Sequence, residues 1–415
     1  MHEAAWDKVL ETDFFTVAEQ FRLRQVSARF NAVLTLGLKD PLKKKQICKD
    51  AEVRALVRLL GDLPPPTKLW LFGSEITSKS VVPLITSGTF QSFSLQGCPV
   101  DKINDNTLAL VGNNAPHLAH LQVDCRALFL GSRNGYNGSR QNTVTDAGFK
   151  LIASNCPEVE SLSLIWVRSL SGEGVADLCT QMKRLQQVKI WWCNCTEKVL
   201  LALSTREELR ELDLRTCKEP ALAATATIAA SAGPVVIAEE IGLKRIFTRC
   251  TKLTKLSLVD VASCNDSALG ELGLGYIKSL THLFLSDLDI TNQGLETLCL
   301  HVAPGLTHLH VSHLKSITNQ GLAKFLTACV RLEHLEVCWL PSVNDEMLGE
   351  IAKLSPSKLR SIKLDGLKEV TTNGLAGLIK SVPGLGYLQC FNSKCHSAAP
   401  LLEHNKRLRI TLAAW

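Results

Sequence analysis

Leucines recur along this chain in a fixed frame, L-x-x-L-x-L. It reads LTKLSL from Leu253, LTHLFL from Leu280, LTHLHV from Leu306, LEHLEV from Leu332, LRSIKL from Leu359 and LGYLQC from Leu385. Successive starts lie 27, 26, 26, 27 and 26 residues apart. Upstream the frame returns as FQSFSL (Phe90), LAHLQV (Leu118), VESLSL (Val159), LQQVKI (Leu185) and LRELDL (Leu209), with a weaker KLWLF around Leu69 and Leu71 and a partial RLRITL from Arg407. Alternation within each frame predicts a short strand, leucines on one side and intervening residues on the other. The stretches behind it are helical in period: ITNQGLETLCLHV (290–302) and ITNQGLAKFLTAC (317–329) space their apolar residues for one helix face after a Thr-Asn start. One strand and one helix cannot close a core alone, so the units must stack on one another.

This pattern resembles leucine-rich-repeat proteins. The resemblance implies an α/β fold: a horseshoe-like solenoid with a parallel sheet on its concave face, helices on its convex face and about 12–13 repeats over residues 67–415. Two intervals are long, 41 residues from Leu118 to Val159 and 44 from Leu209 to Leu253, which marks insertions at 126–142 and 218–236. The cysteines follow the frame. Cys156, Cys250 and Cys329 each lie three residues before a frame, and Cys98, Cys193 and Cys217 lie eight residues after one begins. Both are inward positions suited to a small, weakly polar side chain, and the arrangement resembles the cysteine-containing subclass of these repeats. An odd total of 15 cysteines and an acidic opening, MHEAAWDKVLETD, suit reduced thiols in the cytoplasm or nucleus rather than a disulfide framework.

Residues 1–45 do not carry the repeat. Thr16-Val-Ala-Glu19 is a capping box and predicts a helix from Val17. Phe14, Ala18 and Phe21 share a face, and Val26, Phe30, Val33 and Leu34 form a second apolar stripe at helical spacing. The string FFTVAEQFRLRQVSARFNAVL (14–34) resembles the second half of an F-box, matched at Leu23, Val26-Ser27 and Arg29-Phe30; the family's opening Leu-Pro-x-Glu is absent. The resemblance implies a surface for an SKP-type adaptor made by Trp6, Val9, Leu10, Phe14, Phe21, Leu23, Val26 and Phe30. A helical cap on the first repeat would account for the same stripes. Residues 46–66 read as a linker helix and a Pro-rich turn, GDLPPP, and the basic run Lys39, Lys43, Lys44, Lys45 and Lys49 leads into them.

Composition narrows the function classes. With 46% hydrophobic and 21% charged residues the chain is a folded one, and no apolar run reaches the roughly 18–20 residues of a membrane span. Forty-six basic against 40 acidic residues leave a net charge of +6, too thin an excess to suggest nucleic-acid binding. GELGLG (270–275) lacks the Lys-Ser/Thr of a phosphate loop, and no nucleophile elbow, zinc-protease or kinase signature occurs. The reading is of a protein that is no enzyme and needs no cofactor. Cys193-Asn-Cys195 is half a metal motif without a second half.

The outward frame positions carry the informative side chains: Lys189 and Trp191, then His282, Phe284, His308, His310, His334 and Glu336, with Trp339 at the following turn. His282, His308 and His334 share one position in consecutive repeats, which predicts a column at the strand spacing of about 4.8 Å. Stacked imidazoles repel when protonated, so their pKa values should lie below the usual value. A target burying neutral rings would then bind less well as pH falls, and an acidic target would reverse that sign. A metal ion could use such a column, yet duplication of a Thr-His pair explains it as well, and no metal site is assigned. Aromatics exposed on a sheet suit a protein interface. With the F-box resemblance, these features imply a substrate-recognition subunit of an SKP-cullin-F-box type ubiquitin ligase, its N-terminal helices on the adaptor and its concave face on a target protein. The rivals are an adaptor-independent leucine-rich-repeat scaffold or inhibitor and a Ran-type GTPase activator, families that usually carry units longer than these.

Overall fold

The computed structural model describes residues 33–37, 68–72, 82, 85–86, 91–96, 104–125, 144–217, 241–353, 358–395, 401, 405 and 407–413. The chain divides into two compact units, Met1–Arg206 and Glu207–Trp415. Within each, every described frame is a strand and each strand pairs in parallel with the next. The first unit holds β1 (Val33–Gly37), β2 (Lys68–Phe72), β3 (Ser92–Gln96), β4 (His120–Asp124), β5 (Ser161–Ile165) and β6 (Gln187–Trp191). The second holds β7 (Glu211–Cys217), β8 (Lys255–Val261), β9 (His282–Ser286), β10 (His308–Ser312), β11 (His334–Cys338), β12 (Ser361–Lys363), β13 (Tyr387–Phe391) and β14 (Arg409–Ala413). Helices alternate with the strands, and the fold is that of a leucine-rich repeat.

The leucine frame supplies the core. Leu256, Leu283, Leu309, Leu335, Ile362 and Leu388 stand in register across six strands, and none is more than 2% exposed. Burial of each such side chain contributes roughly 1.5–3 kcal/mol, so this ladder is the principal adhesive between repeats. The cysteines join it: Cys156, Cys250 and Cys329 are buried helix C-caps, and Cys193 is buried after β6. Cys98 lies outside the described residues.

The helix starts explain the recurring I-T-x-x-G-L motif. Thr145, Ser171, Thr291, Thr318 and Thr371 are N-caps whose hydroxyls accept from N–H groups of the first turn. Each N-cap is also held by the first helical residue of the preceding repeat. Asp345 accepts from the Thr371 N–H at 2.8 Å and from its hydroxyl at 2.6 Å; Asp105 holds Thr145, Asp146 holds Ser171 and Asp266 holds Thr291 in the same two-oxygen grip. Asn292 does it for Thr318 with one bond each way. The glycine makes the room: a Cβ on Gly321 or Gly374 would fall 2.0 or 2.1 Å from the gripping Oδ1. The motif is therefore a repeat-to-repeat lock.

A second regularity runs through the nine frames from Val159 to Leu385. Their eighth residue turns left-handed, with φ between +48° and +59° at Trp166, Trp192, Thr216, Asp260, Asp287, His313, Trp339 and Asn392, and +72° at Gly366. Only one of the nine is the glycine that this conformation favours, and each of the others costs about 1–2 kcal/mol.

The structure corrects the reading of residues 33–37. Val33 and Leu34, expected on a helical stripe, lie in β1, which pairs with β2 so that Leu34 and Leu36 register with Leu69 and Leu71. The string Val-Leu-Thr-Leu alternates as a strand does and ends at Gly37, and β-branched Val33 and Thr35 favour extended backbone. The strand ladder thus begins upstream of residue 67. The insertions at 126–142 and 218–236 and the linker helix of 46–66 lie outside the described residues.

Candidate functional site

The densest arrangement of outward side chains lies on β9, β10 and β11 of the second unit. Register places His282, His308 and His334 side by side, with Phe284, His310 and Glu336 as the next row and Ser286, Ser312 and Cys338 beyond. The three imidazoles stack face to face: centroids are 3.9 Å apart for His282 and His308 and 4.2 Å for His308 and His334, with ring planes within 18° of parallel. The preceding threonines hold two of the rings, Thr281 Oγ1 and Thr307 Oγ1 each lying 2.9 Å from the following Nδ1. Phe284 stacks on His310 at 5.5 Å.

Electrostatics divide this surface. Burial, then the neighbouring rings His282 and His334, push the His308 pKa down to about 4. Burial and then the Lys255 charge lower His282. His282 and His308 are therefore uncharged at neutral pH, with burial a larger cause than the mutual repulsion that the sequence suggested. Glu336 is the column's ionised neighbour. It takes His310 Nδ1 at 2.8 Å on one oxygen and Lys363 Nζ at 2.6 Å on the other, and the His310 bond leads the causes that hold its carboxyl at about 2. Burial opposes the charge on Lys363, but the bond to Glu336 leaves its pKa raised. From His310 a polar chain continues through Nε2 to Ser312 Oγ at 2.9 Å and on to Ser286 Oγ at 2.7 Å. Position-seven serines repeated 26 residues apart were the legible but unread signal for that chain.

Trp339 stands at the rim, 41% exposed, in the left-handed turn after β11. Its ring packs between His313, at 5.6 Å, and Gly366, where a Cβ would meet Cδ2 at 2.3 Å. Lys189 and Trp191 belong to the first unit. There the Lys189 ammonium sits 4.8 Å over the Trp191 ring, which is half-buried. Trp192, the exposed indole, stacks on Trp166 at 4.8 Å, and Arg168 covers Trp166 at 4.5 Å. Trp6, Val9, Leu10, Phe14, Phe21, Leu23, Val26 and Phe30 lie outside the described residues.

Face-to-face stacking sets the ring nitrogens of the histidine column in parallel planes, whereas a tetrahedral ion needs lone pairs that converge. Among the described residues, no group of three or more His, Cys, Asp and Glu side chains is arranged to hold a metal. What the arrangement offers is recognition: flat aromatic area, fixed hydrogen-bonding nitrogens and lysine-paired carboxylates on a rigid sheet.

No family model matches the sequence. F-box/LRR-repeat protein 4 of Bos taurus is 23% identical over 247 residues, which cover 55% of this chain and 36% of that protein. The chain thus spans about a third of that relative's length. Among solved structures, a chain of the Rad7 and Elc1 complex in yeast superposes with a TM-score of 0.50 at 16% identity, covering 98% of this chain and 89% of that one. An internalin, inlF, of Listeria monocytogenes gives a TM-score of 0.49 at 14% identity over 88% of this chain and 93% of that one. At such identities the structural likeness is one of fold.

Proposed function

We propose that this chain is the substrate-recognition subunit of an SKP-cullin-F-box type ubiquitin ligase. The N-terminal segment docks an SKP-type adaptor, and the sheet face bearing His282, Phe284, His308, His310, His334 and Glu336 holds a target protein, with Lys189, Trp191 and Trp339 as further contacts. The observation that carries the reading is the stacked row on β9 to β11, whose aromatic area and fixed polar atoms suit a protein interface. The likeness to an F-box/LRR-repeat protein supports it. The chain itself would perform no bond chemistry. Its contribution would be proximity, raising the target's effective concentration beside a ubiquitin-charged enzyme.

Co-purification with a recombinant SKP-type adaptor tests this. Val26→Asp with Phe30→Asp should abolish adaptor binding while the far-UV spectrum of the repeats persists. Loss of repeat structure in that variant would make the segment a cap. One observation favours the second reading, an adaptor-independent leucine-rich-repeat scaffold: β1 pairs with β2, so part of the segment that would carry the adaptor site belongs to the strand ladder.

A further inference from the structure

We propose that one edge of the second unit, where its helices turn back into strands, docks on the surface of an anionic lipid bilayer. The inference goes beyond the receptor reading and does not depend on it.

Three successive helices, Asp266–Gly273, Asn292–Leu298 and Asn319–Ala328, end in exposed apolar side chains. Leu274 and Tyr276 follow the first, Leu300 the second and Val330 the third, and they are 57%, 52%, 74% and 50% exposed. The fold does not call for them. Past the caps of other helices the chain places Pro116, Pro157, Lys183, Thr205, Thr251 and Pro383, and those repeats close as well. The apolar ends also adjoin one another. A Cβ on Gly275 would lie 2.7 Å from the His301 ring, so the turn bearing Leu274 and Tyr276 rests on the turn bearing Leu300. The helices ending at Leu298 and Ala328 pack side by side, which brings Val330 next in the row.

Cations border this ridge. Lys278 and Arg331 stand exposed in the same turns, and Lys358 reaches back from the next repeat to the Val330 carbonyl at 3.3 Å. Among the described residues none of the three has a carboxylate in ion-pair range. Lys324 and Lys394, in contrast, are matched across a repeat by Glu296 and Glu369. Exposed Glu333 is the carboxylate in these turns that opposes an anion. Side chains that stand out singly give a protein partner little to close around, whereas a bilayer is fluid and closes around them. Leucine, valine and tyrosine tips would enter its interface while lysine and arginine stay with the headgroup phosphates. Each cation adds attraction to an anionic leaflet. The contact is peripheral, because among the described residues no helix is long and apolar enough to cross a membrane.

Co-sedimentation of the full chain with vesicles tests this. Phosphatidylcholine vesicles with about 30% phosphatidylserine should bind the chain roughly tenfold more tightly than phosphatidylcholine alone, and binding should fall as salt is raised. Leu300→Ser with Val330→Ser removes exposed apolar area, so the urea midpoint should hold while vesicle binding drops roughly tenfold. Lys278→Glu with Arg331→Glu should erase the preference for phosphatidylserine. The basic run from Lys39 to Lys49 is intact in both variants, so affinity due to that run would survive them. Full binding by either variant overturns the proposal, as does equal affinity for the two vesicles. A parent chain that ignores both vesicles overturns it too; if that chain then binds a fluorescein-labelled acidic amphipathic peptide, and the same variants lose it, the ridge is a protein contact instead.

Discussion

Gly374 stands where the Asp345 carboxylate must pass: a Cβ on the glycine would lie 2.1 Å from Oδ1, the oxygen that accepts the Thr371 N–H. Gly374→Ala should therefore displace the grip between neighbouring repeats and destabilise the second unit by about 1–3 kcal/mol, the usual cost of overpacking. Gly377, on the same helix, has nothing within 4 Å of its would-be Cβ. Gly377→Ala should stabilise by roughly 0.5–1 kcal/mol through the ordinary helix preference. Urea midpoints of the two variants, measured side by side, separate steric lock from helix propensity.

Most of the fold was legible because its cause is local and repeated. The leucine positions, the outward row and the threonine helix starts follow from alternation and period alone, and the buried ladder from Leu256 to Leu388 sits where the frame placed it. Two things were hidden for physical reasons. Val33 to Leu36 satisfies a helical spacing and a strand alternation equally, and only pairing with β2 chooses between them. The left-handed turns were invisible because Trp, Asp, His, Thr and Asn occupy them where sequence reasoning looks for glycine. At the candidate site the histidine column was readable as a repeat of one position, but the contacts that hold two of its rings, Thr281 Oγ1 and Thr307 Oγ1 on the following Nδ1, depend on ring orientations that only the packed sheet sets.

Glu336 gives a pH-dependent readout. Its folded carboxyl is held at about 2, first by His310 and then by Lys363. A lowered folded pKa contributes stability above the unfolded value, lost as pH falls through the folded one, here between roughly pH 4.5 and 2. Glu336→Gln should cost about 1–3 kcal/mol at neutral pH, and the gap to the parent should close by about pH 2. Denaturation midpoints across that range check it; a gap that persists at pH 2 would falsify the assigned ion pair.

The target surface is tested by Phe284→Ala with His308→Ala. Both side chains stack on a neighbouring-strand ring and neither is an inward leucine, so the repeats should remain folded. Target binding should disappear while adaptor co-purification continues. Full retention of target affinity would move the contact elsewhere, with the 126–142 insertion the next segment to delete.

Thiol labelling addresses the cysteines in two steps. In denaturant, intact-mass analysis should count all 15 as free; several disulfides would refute reduced packing. In the native state, Cys299, half-exposed, should react before Cys179, Cys264 and Cys338. Burial pushes those three thiols up to about 12 and withholds the reactive thiolate.

The threonine lock also sets how the gene for such a chain can change length. Because the helix starts at Thr145, Ser171, Thr291, Thr318 and Thr371 are each clasped from the repeat before them, excision of one whole period between two such starts rejoins a clasp to a start and leaves the hydrogen-bond ledger balanced. A cut of half a period strands an aspartate opposite no threonine and a threonine behind no aspartate, and slides leucines onto the outward face. Growth and shrinkage within a run such as Asp266 to Thr318 are consequently quantised in steps of about 26 residues. Additions outside that rhythm can enter only at the bends between strand and helix.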